Sequence, residues 1–327
     1  MKILVTGAAG FIGMHLATRL KRDGAEVVGV DSFDAYYDIA LKRARAARLV
    51  AAGVRCHELD LADTTATAAL FRHGRFSHVA HLAAQPGVRY SLVNPSAYLH
   101  NNIDAFGAVL EACRHSSVEH LVYASSSSVY GANHTLPFSE DQNVDHPVSL
   151  YAASKKANEL MAHSYSYLYR LPTTGLRFFT VYGPWGRPDM SPVLFTRAIL
   201  AGQPIQVFNF GKMQRDFTYV DDIVEGVVRV LLRPPAQGAA QASGAPYVVY
   251  NIGNHQPVEL EAFIAELERL LGAGAVKEYV PMQAGDVTAT FAATDRLAAA
   301  TGFVPTTPLA EGLARFVAWY REYYRAA

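Results

Sequence analysis

KILVTGAAGFIG, residues 2 to 13, runs from a short apolar, β-branched stretch straight into Gly7, Gly10 and Gly13 and then into a helical pattern that begins with Phe11 and Ile12. A strand that turns on glycine into a helix is the opening of a dinucleotide-binding α/β unit. Glycine permits the tight turn and lets backbone amides approach a pyrophosphate, and the helix N-terminus adds partial positive charge. The glycine spacing is weak by itself. It is strengthened by Asp31, which follows the next apolar run, EVVGV at 26 to 30, where a carboxylate can accept from both hydroxyls of a ribose. Ser32 and Phe33 come next, with no arginine to meet a 2′-phosphate, so NAD is expected rather than NADP.

The same rhythm continues outward. VRCHEL at 54 to 59, HVAHL at 78 to 82, HLVYA at 120 to 124 and TTGLRF at 173 to 178 read as strands, with helical patterns at 11 to 22, 40 to 52, 95 to 114 and 149 to 169 between them. Strands alternating with helices imply parallel pairing, so the expected fold is α/β, a doubly wound Rossmann-type sheet. Asp60 and Leu61 after the third strand, and Leu82, Ala83 and Ala84 after the fourth, fall at strand C-terminal ends, where open sheets bind ligands. After about residue 180 the rhythm breaks into VYGPWGRPDMSP and isolated strands, IQVFNF at 205 to 210 and VVYNI at 248 to 252. That pattern predicts a smaller, discontinuous α/β substrate lobe. The expected division is 1–180 plus about 219–256 for the NAD-binding part, and about 181–218 plus 257–327 for the other. RPPAQGAAQASGAP at 233 to 246 reads as a surface loop.

Composition narrows the functional classes. Half of the 327 residues are hydrophobic and the formal net charge is zero, so there is no global basic field to attract nucleic acid or anionic lipid. Two cysteines give no disulfide framework, and no apolar run reaches the length of a membrane span. A cytoplasmic protein is expected. His73, His78, His81, His115 and His120 lack ligand spacing on a shared face, so no metal is expected, and KRARAARL at 42 to 49 reads as a solvated helix face.

Tyr151 and Lys155 in SLYAASKKANEL are four apart on a helical stretch, so both project from one face. An ammonium and a bound nicotinamide cation beside a phenol favour phenolate, which would make Tyr151 a base at neutral pH. Taken together, GAAGFIG, ASSSSVYG, YAASK and RDFTYVDD resemble the extended short-chain dehydrogenase/reductase family of nucleotide-sugar epimerases and dehydratases, over nearly the whole chain. DSFDAYYDIALKRARAARL, HLAAQPGVRYS and TVYGPWGRPDMSP are similar to the UDP-glucuronate 4-epimerases within it. The resemblance implies tightly held NAD, a UDP-sugar substrate and a homodimer. It also implies that Ser126 assists Tyr151, that Lys155 is the electrostatic partner and ribose ligand, and that Asn102 lies near the cofactor.

The four serines at 125 to 128 then acquire a reading. Related dehydratases and decarboxylases carry acids at one or both positions matching Ser127 and Ser128, where a dehydratase needs proton transfer. Hydroxyls there can instead donate to a substrate carboxylate. Ser127, Ser128 and Thr180 are accordingly expected to hold the C5 carboxylate of UDP-glucuronate. Arg89, Arg187 and Arg215 are expected at the diphosphate, Asp286 at the ribose and Phe208 beside the uracil, while Gln283 stands where galactose-type epimerases have a further arginine. The expected reaction is epimerisation at C4 through a transient 4-keto sugar. Alternatives are a UDP-glucose-type epimerase, a nucleotide-sugar decarboxylase or dehydratase, and a non-catalytic NAD-sensing protein.

Overall fold

The computed structural model describes residues 1–325 apart from 239–242 and 284. The chain runs β1 (Lys2–Thr6), α1 (Phe11–Arg22), β2 (Glu26–Asp31), α2 (Ile39–Ala51), β3 (Arg55–Glu58), α3 (Thr64–Gly74) and β4 (His78–His81). Two single turns, α4 (Tyr90–Val93) and α5 (Pro95–Tyr98), lead through a π-helical stretch, Leu99–Asp104, into α6 (Ala105–His115), β5 (His120–Ser126), α7 (Leu150–Tyr169) and β6 (Thr173–Phe178). There follow β7 (Thr180–Tyr182), α8 (Ser191–Leu200), β8 (Pro204–Phe208), β9 (Gln214–Tyr219), α9 (Val220–Leu231) and β10 (Tyr247–Ile252). The last elements are β11 (Pro257–Glu259), α10 (Leu260–Leu271), β12 (Val276–Val280), α11 (Asp295–Thr301) and α12 (Leu309–Tyr324).

Seven strands form one parallel sheet in the order β10-β6-β5-β4-β1-β2-β3. Its central strands are buried on both faces, as helices on both sides of a parallel sheet require. The strand order reverses between β1 and β4, and the crevice opened by that reversal at the strand C-terminal ends is the general ligand position of such sheets. Gly7 sits at the mouth with φ +64, and a Cβ added there would lie 2.9 Å from the backbone nitrogen of Ala83. A Cβ on Gly13 would lie 2.0 Å from the Gly7 carbonyl oxygen, so close packing of α1 on the turn requires glycine there as well. Two small sheets, β11-β9-β7 and β12-β8, form from the later strands.

Three expectations are corrected. The helix read over 95 to 114 is broken, with the π-helical stretch separating α5 from α6. The strand read through residue 210 ends at Phe208, because Asn209 and Phe210 take φ of 50° and 52°, outside strand conformation. The basic stretch of α2 is not a solvated face: Arg43 and Arg48 are exposed, but Lys42 and Arg45 are buried. Arg45 donates to the carbonyls of Trp185 (2.6 Å) and Gly186 (3.2 Å) and to the Tyr37 hydroxyl (2.7 Å), fixing a loop whose placement matters below. Of the surface loop expected at 233 to 246, residues 239–242 lie outside the described residues.

Buried histidines make the fold sensitive to acid. His120 in β5 lies between the Leu231 carbonyl (3.0 Å) and the Thr174 hydroxyl (2.9 Å), and burial pushes its pKa down to about 4. Burial, together with Lys155, pushes His81 down to about 3. A base with a lowered native pKa stays neutral when folded, while the unfolded chain takes up protons as pH falls below about 6.5. Stability is therefore lost as pH drops from about 6.5 towards 4, by roughly 3 kcal/mol for His120 alone. Urea midpoints of the native protein and of His120→Gln are expected to converge as pH is lowered from 7.5 to 4.5. A constant gap between them would refute this account.

Candidate active site

A cavity of about 700 Å³ lies along the strand C-terminal ends and is lined by residues from both the large sheet and the small ones. At one end Gly7, Gly10, Phe11, Ile12, Gly13, Asp31, Asp60, Leu61, Leu82, Ala83 and Ala84 all reach its wall. The Asp31 carboxylate is buried and fixed, accepting from the backbone amides of Ala9 (3.0 Å) and Phe33 (2.9 Å), with acceptor capacity left towards the cavity. This is a donor and acceptor set that fits a dinucleotide. Asp60 also accepts from His100 at 2.7 Å. Lys42, which the sequence reading placed on a solvated face, lines the cavity and donates to the Asp34 carbonyl at 2.8 Å. Its signal was its alignment with Leu41, Arg45 and Leu49 on the buried side of α2.

Asn102 is not on the cavity wall; its neighbour Asn101 is. The Asn102 carboxamide accepts from the Gln85 amide (2.7 Å) and donates to the Gln85 carbonyl (3.1 Å) and the Ser154 hydroxyl (2.9 Å). It braces the loop bearing Ala83 and Ala84 against α7 and stands one layer behind the cavity.

Helix α7 begins where the Ser149 hydroxyl accepts from the Ala152 amide (3.1 Å), which sets Tyr151 in the first turn and Lys155 one turn on. Both line the cavity with Ser126. Lys155 is buried, donates to the Ala124 carbonyl at 2.9 Å, and burial pushes its pKa down to about 8. Burial pushes the Tyr151 phenol above its ordinary value, while the Ser126 hydroxyl and the Arg187 cation pull it back.

The serines divide by role. Ser125 also reaches the cavity wall, but its hydroxyl donates to Glu159 at 2.7 Å. Ser126 accepts from the Ser128 amide at 3.1 Å, closing a tight turn at the end of β5, and Ser127, Ser128 and Thr180 line the cavity beside Tyr151 and Lys155. No carboxylate stands at 126–128.

At the far end Arg89, Arg215, Asp286 and Phe208 come together. Arg215 donates to Asp286 at 2.8 Å, and Arg89 lies 3.7 Å from the same carboxylate and 4.9 Å from the Phe208 ring centroid. Arg187 lines the same cavity. It is gripped by Asp189, at 3.0 and 2.5 Å, and its cation acts on Tyr151. Among the described residues, no group of three or more His, Cys, Asp or Glu side chains is placed to hold a metal ion, and no helix is long and apolar enough to cross a membrane.

The chain is 47% identical to the probable UDP-glucuronate 4-epimerase of Rhizobium meliloti (strain 1021), over 100% of this chain and 99% of that protein. It is 48% identical to UDP-glucuronate 4-epimerase 4 of Arabidopsis thaliana, over 98% of this chain and 76% of that one. Among solved structures, the UDP-glucuronic acid 4-epimerase of Bacillus cereus, crystallised with UDP-glucuronic acid and NAD, superposes with a TM-score of 0.90 at 33% identity, covering 99% of this chain and 100% of that one. Residues 3–253 match the family described as NAD dependent epimerase/dehydratase, and the chain belongs to that family.

Proposed function

We propose that this protein interconverts UDP-glucuronate and UDP-galacturonate by NAD-dependent epimerisation at C4. The observation that carries the substrate choice is the hydroxyl wall of Ser127, Ser128 and Thr180 beside Tyr151, free of carboxylates. When bound, NAD supplies a reversible two-electron store at C4 of the sugar. Tyr151 removes the 4-hydroxyl proton and later returns it, assisted by Ser126, while Lys155 holds the cofactor ribose. Asp31 accepts from the other ribose. Arg89, Arg187, Arg215 and Asp286 hold the UDP handle while the sugar ring turns over between the two transfers, and Phe208 borders the base. On this reading 1–180 plus about 219–256 form the NAD-binding part, and about 181–218 plus 257–327 the nucleotide-sugar part.

The 4-keto acid is prone to lose carbon dioxide. Hydroxyl donors hold the carboxylate out of line with the adjacent carbonyl, and the absence of an acid at 127 and 128 removes the proton donor a dehydratase needs. Purified protein incubated with UDP-glucuronate and no added cofactor is expected to yield UDP-galacturonate with no net reduction of NAD. UDP-pentose as the main product, or no conversion even with NAD added, would overturn the assignment. Ser127→Ala and Ser128→Ala are each expected to raise KM for UDP-glucuronate about tenfold, the loss of one hydrogen bond to a charged group, and to increase the pentose by-product. Unchanged KM and by-product would remove both serines from carboxylate recognition.

The same reading includes a homodimer. Leu92, Val93, Leu99, Leu160 and Leu168 are more than half exposed, on α4, α7 and the stretch between α5 and α6, and a second copy of the chain would cover them. Light scattering on Leu160→Glu is expected to give half the mass of the native particle; equal masses would refute this interface.

A further inference from the structure

Tyr36 stands where the segments bearing the cavity's charged groups meet. Its hydroxyl donates to Asp189 at 3.0 Å, and Asp189 grips Arg187 through both oxygens. Its ring lies against Tyr90, with centroids 4.6 Å apart, next to Arg89 in sequence. A Cβ added to Gly87, at φ +100, would come within 3.0 Å of the Tyr36 hydroxyl, so that segment passes hard against it. Tyr36 itself follows Asp31 by five residues, in the loop after β2. Both are half-buried on the cavity wall, and nothing in the reaction assigned above uses Tyr36 or Asp189.

We infer that Tyr36 is a positioning residue, a latch that ties the cofactor loop after Asp31 to Arg187 through Asp189 and to the Arg89 segment through Tyr90, so that seating the dinucleotide favours binding of the nucleotide sugar. The inference rests on the reading that both ligands share this cavity. The electrostatics agree with a durable latch. Burial and the Asp189 charge push the Tyr36 phenol up to about 12, so it remains a donor at neutral pH. Burial opposes the charged form of Asp189, yet Arg187 and the bonds from Arg187 and Tyr36 keep its carboxyl below the ordinary range. The Arg187 end cannot drift to compensate, because Arg45 holds the carbonyls of Trp185 and Gly186. A change in the cofactor loop is therefore transmitted to Arg187 and not absorbed by slack in the chain.

The test is a coupling measurement with UDP, which does not depend on the identity of the sugar. Calorimetric titration of UDP into NAD-loaded and NAD-stripped protein gives a ratio of affinities, and by linkage the same ratio describes the effect of UDP on NAD. In the native protein the NAD-loaded form is expected to bind UDP about tenfold more tightly. Tyr36→Phe, which removes one oxygen, and Asp189→Asn, which keeps the shape but not the charge, are each expected to bring the ratio close to one with little change in thermal stability. A ratio that stays about tenfold in both variants overturns the latch and leaves the site assignment standing. Failure of the native protein to bind UDP in either form overturns the site assignment, and the latch with it.

Discussion

Tyr151→Phe is expected to lower kcat about a thousandfold while the affinities for NAD and UDP-glucuronate stay within a few-fold of native. The substitution removes a single hydroxyl from a half-buried side chain at the start of α7, and the ring continues to fill its place at 6.0 Å from Tyr98, so neither the helix cap nor the cavity wall changes. What disappears is the proton acceptor for the 4-hydroxyl, a contribution of about 10²- to 10⁴-fold in general acid–base catalysis. Lys155 cannot replace it, because with a pKa of about 8 it is mainly an ammonium at neutral pH and has no lone pair to accept the proton. Ser126 cannot either, since an isolated hydroxyl is too weak a base near neutrality. Steady-state kinetics with calorimetric binding separates the two parts of the expectation. A kcat within tenfold of native would remove Tyr151 from the chemistry, and a large loss of affinity would mean that it acts in binding.

The parts of this arrangement that were legible in the sequence are those encoded locally. The switch from period two to period 3.6 across Gly7, Gly10 and Gly13 placed β1, the turn and α1, and Asp31 could be assigned from its distance beyond that turn. The four-residue spacing of Tyr151 and Lys155 put both on one face of α7, where the structure has them. Arg89, Arg215, Phe208 and Asp286 come from four separate segments, and their gathering was implied by family resemblance, not by any local pattern. The features that were not legible depend on partners distant in sequence. The hydrogen bonds of Asn102 to Gln85, of Arg45 to Trp185 and of Tyr36 to Asp189 have no periodic signature. The grip of Asp189 on Arg187 was not legible either: its sequence neighbourhood is proline and glycine, and its loop is held by Arg45. Asn209 and Phe210 ended β8 early through positive φ angles that their side chains do not announce.

Glu159→Gln is expected to destabilise the protein by about 3–5 kcal/mol, the cost of leaving a buried cation without its anion. Glu159 lies two turns beyond Tyr151 on α7, and its side chain and that of Arg177 are 4% and 5% exposed. The pair is bidentate at 2.8 and 2.9 Å, Arg177 also donates to the Tyr130 hydroxyl at 3.1 Å, and that hydroxyl donates to Asn251 at 2.6 Å. Ser125 completes the network by donating to Glu159, which joins β5, β6 and β10 to α7. The amide of glutamine would turn an N–H donor towards the guanidinium and leave a charge in an interior that cannot solvate it. Replacing both partners by methionine removes the charge as well as its partner and is expected to recover most of the loss. Chemical denaturation of the single and double variants decides it: a single-variant loss below 1 kcal/mol would mean that water reaches Arg177. The activity of the double variant carries further information, because Ser125 would then have lost its tether and Ser126 to Ser128 follow it directly. If the tether holds the hydroxyl wall in register with Tyr151, the double variant should be nearly as stable as the native chain yet show a raised KM for UDP-glucuronate and more pentose by-product, the signature expected for Ser127→Ala. A stable double variant with native KM would show that the 3₁₀ turn, closed by the Ser128 amide on Ser126, positions the serines without help from the buried pair.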